Sequence, residues 1–217
     1  MKSAVVTGGT VRLGLAIADH LRDRGYKVIT TSSRGDSSAD VIVDFRRPNG
    51  AEDCFAAVSA LLGGFPPDVL INNASLFSGN DADVEAVGLK APVRLIELMA
   101  CRGTAGRGVV INVLDATRGS VSGCRSGKYG ECKRELGYYT KTAAVRFSET
   151  LRVNSVSPGP IDGLAPEGVH EKAETCPLGR PRASDIAKAV CFLVENESVT
   201  GVDIPVDGGL TASRSRA

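Results

Sequence analysis

The chain has 217 residues, 42% of them hydrophobic, and 26 basic against 25 acidic side chains give a net charge of +1. That size and apolar content suit one domain with a substantial core, and the near-neutral balance argues against a dominant attraction to nucleic acid or to an anionic membrane. The first strand is expected to begin at about Lys2, so no signal peptide is expected, and no uninterrupted apolar stretch approaches the roughly 18 residues of a membrane span.

In chain order, short β-branched runs alternate with helical stretches. Ala4-Val5-Val6 predicts a first buried strand, and Leu13, Ile17 and Leu21 share one face of a helix that ends at Gly25. Further strands are predicted at Val28–Thr31, Val41–Val43, Val69–Ile71, Val109–Ile111 and Val153–Val156, with Ile204-Pro205-Val206 as a seventh. Helices fill the intervals at about 50–62, 83–102, 126–148 and 183–195. Strand–helix alternation without a break in composition predicts α/β architecture: a single Rossmann-type, doubly wound parallel sheet with helices on both faces, one domain over 1–212 and a flexible tail at 213–217. Cys54, Cys101, Cys124, Cys132, Cys176 and Cys191 form no Cys-x-x-Cys pair and read as reduced thiols of a cytoplasmic protein. His20 and His170 share no spacing with other ligands, so no metal site is expected.

The stretch Val5-Val6-Thr7-Gly8-Gly9-Thr10-Val11-Arg12-Leu13-Gly14 runs from strand through a glycine turn into a helix. Gly8, Thr10, Arg12 and Leu13 thereby place backbone N–H groups and a helix N-terminus where a dinucleotide's phosphates would lie. An NAD-preferring fold carries a carboxylate after the second strand; here Thr31-Ser32-Ser33-Arg34 offers hydroxyls and a guanidinium. Ser33, Arg34 and Arg12 suit a 2′-phosphate through charge-assisted hydrogen bonds and predict NADPH/NADP, with Asp36 the opposing feature. Asp44-Phe45 closes the third strand and is expected to flank the adenine, Asp44 accepting from its amino group. Asn73, Ala74 and Ser75 close the fourth strand at the sheet's carboxyl edge, where ligands bind.

Tyr129 and Lys133 are four apart and share a helix face, whereas Tyr138 and Tyr139 stand in the wrong register to Lys141. An ammonium beside a phenol favours phenolate, which suits the phenol to act as general acid toward a carbonyl or imine.

Taken together, Thr7–Gly14, Asn72-Asn73-Ala74, Tyr129 with Lys133, Arg152–Gly159 and Thr200-Gly201 leading to Val206–Gly209 resemble the short-chain dehydrogenase/reductase family nearly end to end. The resemblance implies Tyr129 as proton donor and Lys133 on the nicotinamide ribose. It also implies that backbone after Pro158-Gly159, at Ile161, holds the carboxamide. Within that family the chain is most similar to pteridine reductases and dihydromonapterin-type reductases. Arg12 replaces the middle glycine of the turn, Ser75 a glycine, and Asp115 the usual serine, while Phe77 matches the aromatic that stacks on a pterin. Asp115 and Tyr129 are thus expected at both the catalytic and the substrate site, with Phe77 on the substrate. Gly88 stands where a catalytic asparagine is usual, the segment 73–88 is short, and Gly159–Pro177 leaves little material for a lid. The expected activity is NADPH-dependent reduction of a pterin-like C=N bond. The alternatives are a carbonyl reductase of oxoacyl or secondary-metabolite ketones, and a nucleotide-sensing protein with weak catalysis. The expected partner is a small-molecule substrate, with a homodimer or homotetramer packed through the helices at 83–102 and 126–148.

Overall fold

In the computed structural model, residues 1–35, 38–102, 106–117, 127–163 and 176–214 are described. Seven strands form one parallel sheet in the order β3-β2-β1-β4-β5-β6-β7. They are β1 (Ser3–Val6), β2 (Lys27–Ser32), β3 (Val41–Ile42), β4 (Val69–Asn72), β5 (Gly108–Val113), β6 (Leu151–Pro158) and β7 (Asp203–Val206). Because side chains alternate along a strand, each contributes to two cores. Ala4 and Val6, Val69 and Ile71, Val109 and Ile111 face helices α1 (Arg12–Asp23) and α6 (Ala183–Glu195). Val5, Leu70 and Val110 face the other side, against α2 (Gly50–Leu61) and α4 (Ala91–Arg102). That side is also covered by α5 (Lys128–Arg146), whose Ala143 and Ala144 join the same cluster.

The edges are protected. β3 spans two residues, and β7 carries Pro205, which removes a backbone donor from an exposed strand. Arg152 on β6 is buried and donates to the carbonyls of Leu193, Val194 and Val199, so it satisfies the C-terminal end of α6 with a cation. The expected seven strands and five long helices are present. The chain also forms α7 (Leu210–Arg214), held by the Asp207 carboxylate, which accepts from Thr211 N at 2.8 Å and Gly209 N at 2.9 Å. Residues 215–217 lie outside the described residues, as do Asp36, Cys124, His170 and the lid segment 164–175. No described helix is long and apolar enough to cross a membrane.

The helix expected over 83–102 is interrupted. A short α3 (Asp81–Glu85) passes into a π-helical turn over Ala86–Lys90 before α4 begins. Ala91 N–H bonds to Ala86 O, five residues back. Pro92 has no N–H to give Gly88 O and its ring opposes that carbonyl, so the ladder widens at this point.

Candidate active site

The order of strands reverses between β1 and β4, which opens a crevice at their carboxyl ends. A cleft of about 570 Å³ occupies it. The expected cofactor, catalytic and substrate residues line this one space: Gly8, Thr10, Arg12, Leu13, Ser33, Arg34, Asp44, Phe45, Asn73, Ala74, Ser75, Phe77, Asp115, Tyr129, Lys133, Pro158, Gly159 and Ile161; Gly88 is not among its lining residues.

At one end the glycine turn is set by close packing. Gly8 has φ +63°, and a Cβ on Gly14 would collide with the Gly8 carbonyl and lie 2.6 Å from Asn73 Nδ2. Thr7 locks the turn to β4: its hydroxyl accepts from Asn73 N and Ala74 N at 3.0 Å, and Asn73 Nδ2 donates to the carbonyls of Thr7 and Gly8. Helix α1 starts at Val11, which makes no side-chain cap, and its first turn holds no acid. Its first N–H groups are therefore suited to an anion. Arg12 has φ +55°, a conformation costing a residue with a side chain roughly 1–2 kcal/mol, and it places a cation in the turn. Ser75 Oγ, on the cleft wall, is buried with no hydrogen-bond partner among the described residues. Uncapped N–H groups, two arginines and an orphaned hydroxyl fit a phosphorylated dinucleotide.

Arg46 also lines this end, although sequence reading passed over it. Its Nε and Nη2 donate to both oxygens of Asp44 at 2.7–3.1 Å, and its backbone N donates to Oδ1 at 3.0 Å. These bonds hold the Asp44 carboxyl down at about 2. The carboxylate expected to face an adenine is thus already gripped by a neighbour two residues on.

At the other end, β5 delivers Asp115 and α5 delivers Tyr129 and Lys133. Tyr129 Oη donates to Asp115 Oδ2 at 3.0 Å, with both side chains buried. Lys133 is only 3% exposed and donates to Val113 O at 2.8 Å, its one hydrogen-bond acceptor among the described residues. Burial pushes its ammonium down to about 8, with the Asp115 charge opposing. Two further N–H groups remain for a ligand's hydroxyl oxygens. Lys133 Nζ lies 5.6 Å from the centre of the Tyr129 ring. Phe77 stands 47% exposed, its ring 5.1 Å from that of Tyr129 and tilted by 34°. Together they form an aromatic shelf beside a carboxylate. Gly88 is buried in the π-helical turn, where a Cβ would meet nothing nearer than Cys132 Cβ at 3.5 Å, so no side-chain amide is supplied there.

A family model described as enoyl-(acyl carrier protein) reductase matches residues 12–211. The chain is 28% identical to the 3-oxoacyl-(acyl-carrier-protein) reductase FabG of Vibrio cholerae serotype O1, over 96% of this chain and 97% of the relative. It is 30% identical to cis-4-hydroxycyclohexanecarboxylate dehydrogenase of Sinomonas cyclohexanicum, over 96% of each chain. Among solved structures, FolM alternative dihydrofolate reductase 1 of Brucella canis, complexed with NADP, superposes with a TM-score of 0.84. It shares 27% identity, over 97% of this chain and 94% of the other.

Proposed function

Since the chain belongs to the short-chain dehydrogenase/reductase family, and is on that footing a NAD(P)-dependent oxidoreductase, we propose that it is an NADPH-dependent reductase of a pterin-like C=N bond. The bond becomes CH–NH by gain of a hydride at carbon and a proton at nitrogen. A reduced nicotinamide supplies the hydride when bound. The uncapped start of α1, with Arg12, Ser33, Arg34 and the Ser75 hydroxyl, would hold its phosphates. Lys133 would hold the ribose hydroxyls, and the backbone beyond Pro158-Gly159 the carboxamide.

The protein's own residues manage the substrate and the proton. Phe77 offers an exposed ring on which a flat heterocycle stacks. Tyr129 carries the proton next to it, and Asp115, hydrogen-bonded to the phenol, is placed to take up or return a proton as the phenol changes state. Lys133 sets a positive charge against the phenol, which favours phenolate after the proton leaves. The carrying observation is the Tyr129–Asp115 hydrogen bond of 3.0 Å beside the exposed Phe77 ring. A serine hydroxyl, the usual family group there, would orient a carbonyl but is too weakly acidic to give up and regain a proton near neutral pH as a carboxyl group can. The crystallised FolM neighbour, named a dihydrofolate reductase, supports the same chemistry.

A second reading, an NADPH-dependent carbonyl reductase, draws on the names of the curated relatives, which act on oxoacyl and cyclic alcohol substrates. In either case the substrate is a small molecule, and we expect a homodimer or homotetramer packed through α4 and α5. Oxidation of NADPH with 7,8-dihydrobiopterin, against a panel of ketones and oxoacyl thioesters, separates the two. Turnover of the pterin supports the first, and turnover of carbonyls alone overturns it. In Tyr129→Phe the activity should fall by about 10³-fold; undiminished turnover would remove the phenol from either scheme.

A further inference from the structure

One oxygen of the Asp115 carboxylate, Oδ2, accepts from Tyr129 Oη. The other, Oδ1, is taken by a residue that no reading of the motifs selected. Thr117 N donates to it at 2.7 Å and Thr117 Oγ1 at 2.5 Å. Thr117 is buried, 3% exposed, and follows the end of β5 in a tight turn that starts at Asp115 itself. The turn is anchored on its far side by Ala116 N donating to Pro158 O at 2.9 Å and by Leu114 N donating to Val156 O at 2.8 Å. A carboxylate has two torsions of its own, and hydrogen bonds to its oxygens restrict both. Here two donors from one residue fix Oδ1, and the planarity of the group then fixes where Oδ2 points. It points at the phenol.

We propose that Thr117 is a positioning residue: its hydroxyl and backbone N–H clamp one oxygen of Asp115 so that the other is aimed at Tyr129 Oη. The inference rests on the Tyr129–Asp115 pair as the proton path proposed above. It adds that this path is set by a third residue, which is not among those lining the cleft. The short contact also makes the clamp sensitive. A methyl in place of the hydroxyl would sit 2.5 Å from Oδ1, well inside the roughly 3.5 Å at which carbon atoms pack. The carboxylate must then turn or retreat. Thr117→Val should therefore disturb the aim of Oδ2 while preserving the volume and β-branching of the side chain.

The test combines kinetics with crystallography. Thr117→Val should lower kcat about tenfold, equivalent to about 1.4 kcal/mol of barrier, with KM for NADPH unchanged; Thr117→Ser, which keeps the hydroxyl, should recover most of the loss. In an Asp115→Ser background the Thr117→Val change should cost nothing further, because the group it aims is gone. An equal loss in both backgrounds, or an undiminished kcat, overturns the proposal. Should Thr117→Val fail to fold, Thr117→Ala removes the hydroxyl without adding the methyl clash and is read in the same way. The rates are measured on whichever of dihydrobiopterin or ketone the wild type reduces. Loss of the pterin reading thus leaves this one still decided. A crystal structure of the variant needs no substrate at all: Asp115 Oδ2 turned away from Tyr129 Oη supports the clamp, and an unaltered contact overturns it.

Discussion

The two ends of the cleft are built on opposite physical plans. At the end proposed to hold the phosphates, the groups lining the cleft are backbone N–H groups and exposed arginines, which solvent reaches. At the end proposed for proton transfer the side chains are buried: Tyr129, Asp115 and Lys133 are each less than a tenth exposed, and the ammonium is held far from its ordinary value by the loss of water around it. The first end stores its cost in backbone conformation, at Arg12 with φ +55°. The second holds a destabilising charge in exchange for reactivity.

The sharpest way to break that contrast is Lys133→Met. Activity should fall by at least 10²-fold while the fold gains stability. Lowering the ammonium from 10.5 to about 8 corresponds to roughly 3 kcal/mol of unfavourable burial at neutral pH. The sign follows from proton counting. Between pH 8 and 10.5 the unfolded chain binds a proton at this lysine that the folded chain has released, so wild-type stability should rise with pH across that window. In Lys133→Met that rise should vanish and Tm at pH 7 should increase. Urea denaturation at several pH values reads both, and an unchanged or lower Tm would contradict the burial argument.

Arg34→Ala probes the opposite end. NADPH affinity should drop about tenfold, consistent with one charge-assisted hydrogen bond, while NADH affinity and Tm stay put. Cofactor fluorescence titration checks it, and equal losses for both cofactors would detach Arg34 from the 2′-phosphate. The smallest effect is expected between the two ends. Gly88→Ala should stabilise by about 0.5–1 kcal/mol, since the added methyl meets only Cys132 Cβ at an ordinary 3.5 Å. A destabilised variant in urea denaturation would show that the π-helical turn needs the glycine.

The same contrast explains what the sequence disclosed. The strands were legible because parallel strands buried on both faces read as β-branched runs, as in Val109-Val110-Ile111. The glycine turn and the Tyr129–Lys133 spacing were legible because each is a local pattern with a fixed geometry. Three features were not. The apolar spacing over 83–102 reads as one helix and hides the widened turn, which follows from the missing N–H of Pro92. Arg46 looked like one of many surface arginines, and its grip on Asp44 exists only once the loop after β3 has turned. Thr117 belongs to no motif, and its bonds to Asp115 exist only in the folded turn after β5. Contacts that one side chain makes with another across a turn leave no periodic trace.

The π-helical turn carries one more consequence. By inserting an extra residue per turn, it offsets the two halves of a nominally single rod around its own axis. Val84, before the offset, packs with Tyr129 and Cys132, whereas Leu95, Ile96 and Met99, beyond it, join the main core against the sheet. A straight rod could not serve both addresses. One imino acid therefore ties the wall behind the Tyr129 phenol to the bulk of the molecule, like a dogleg in a shaft.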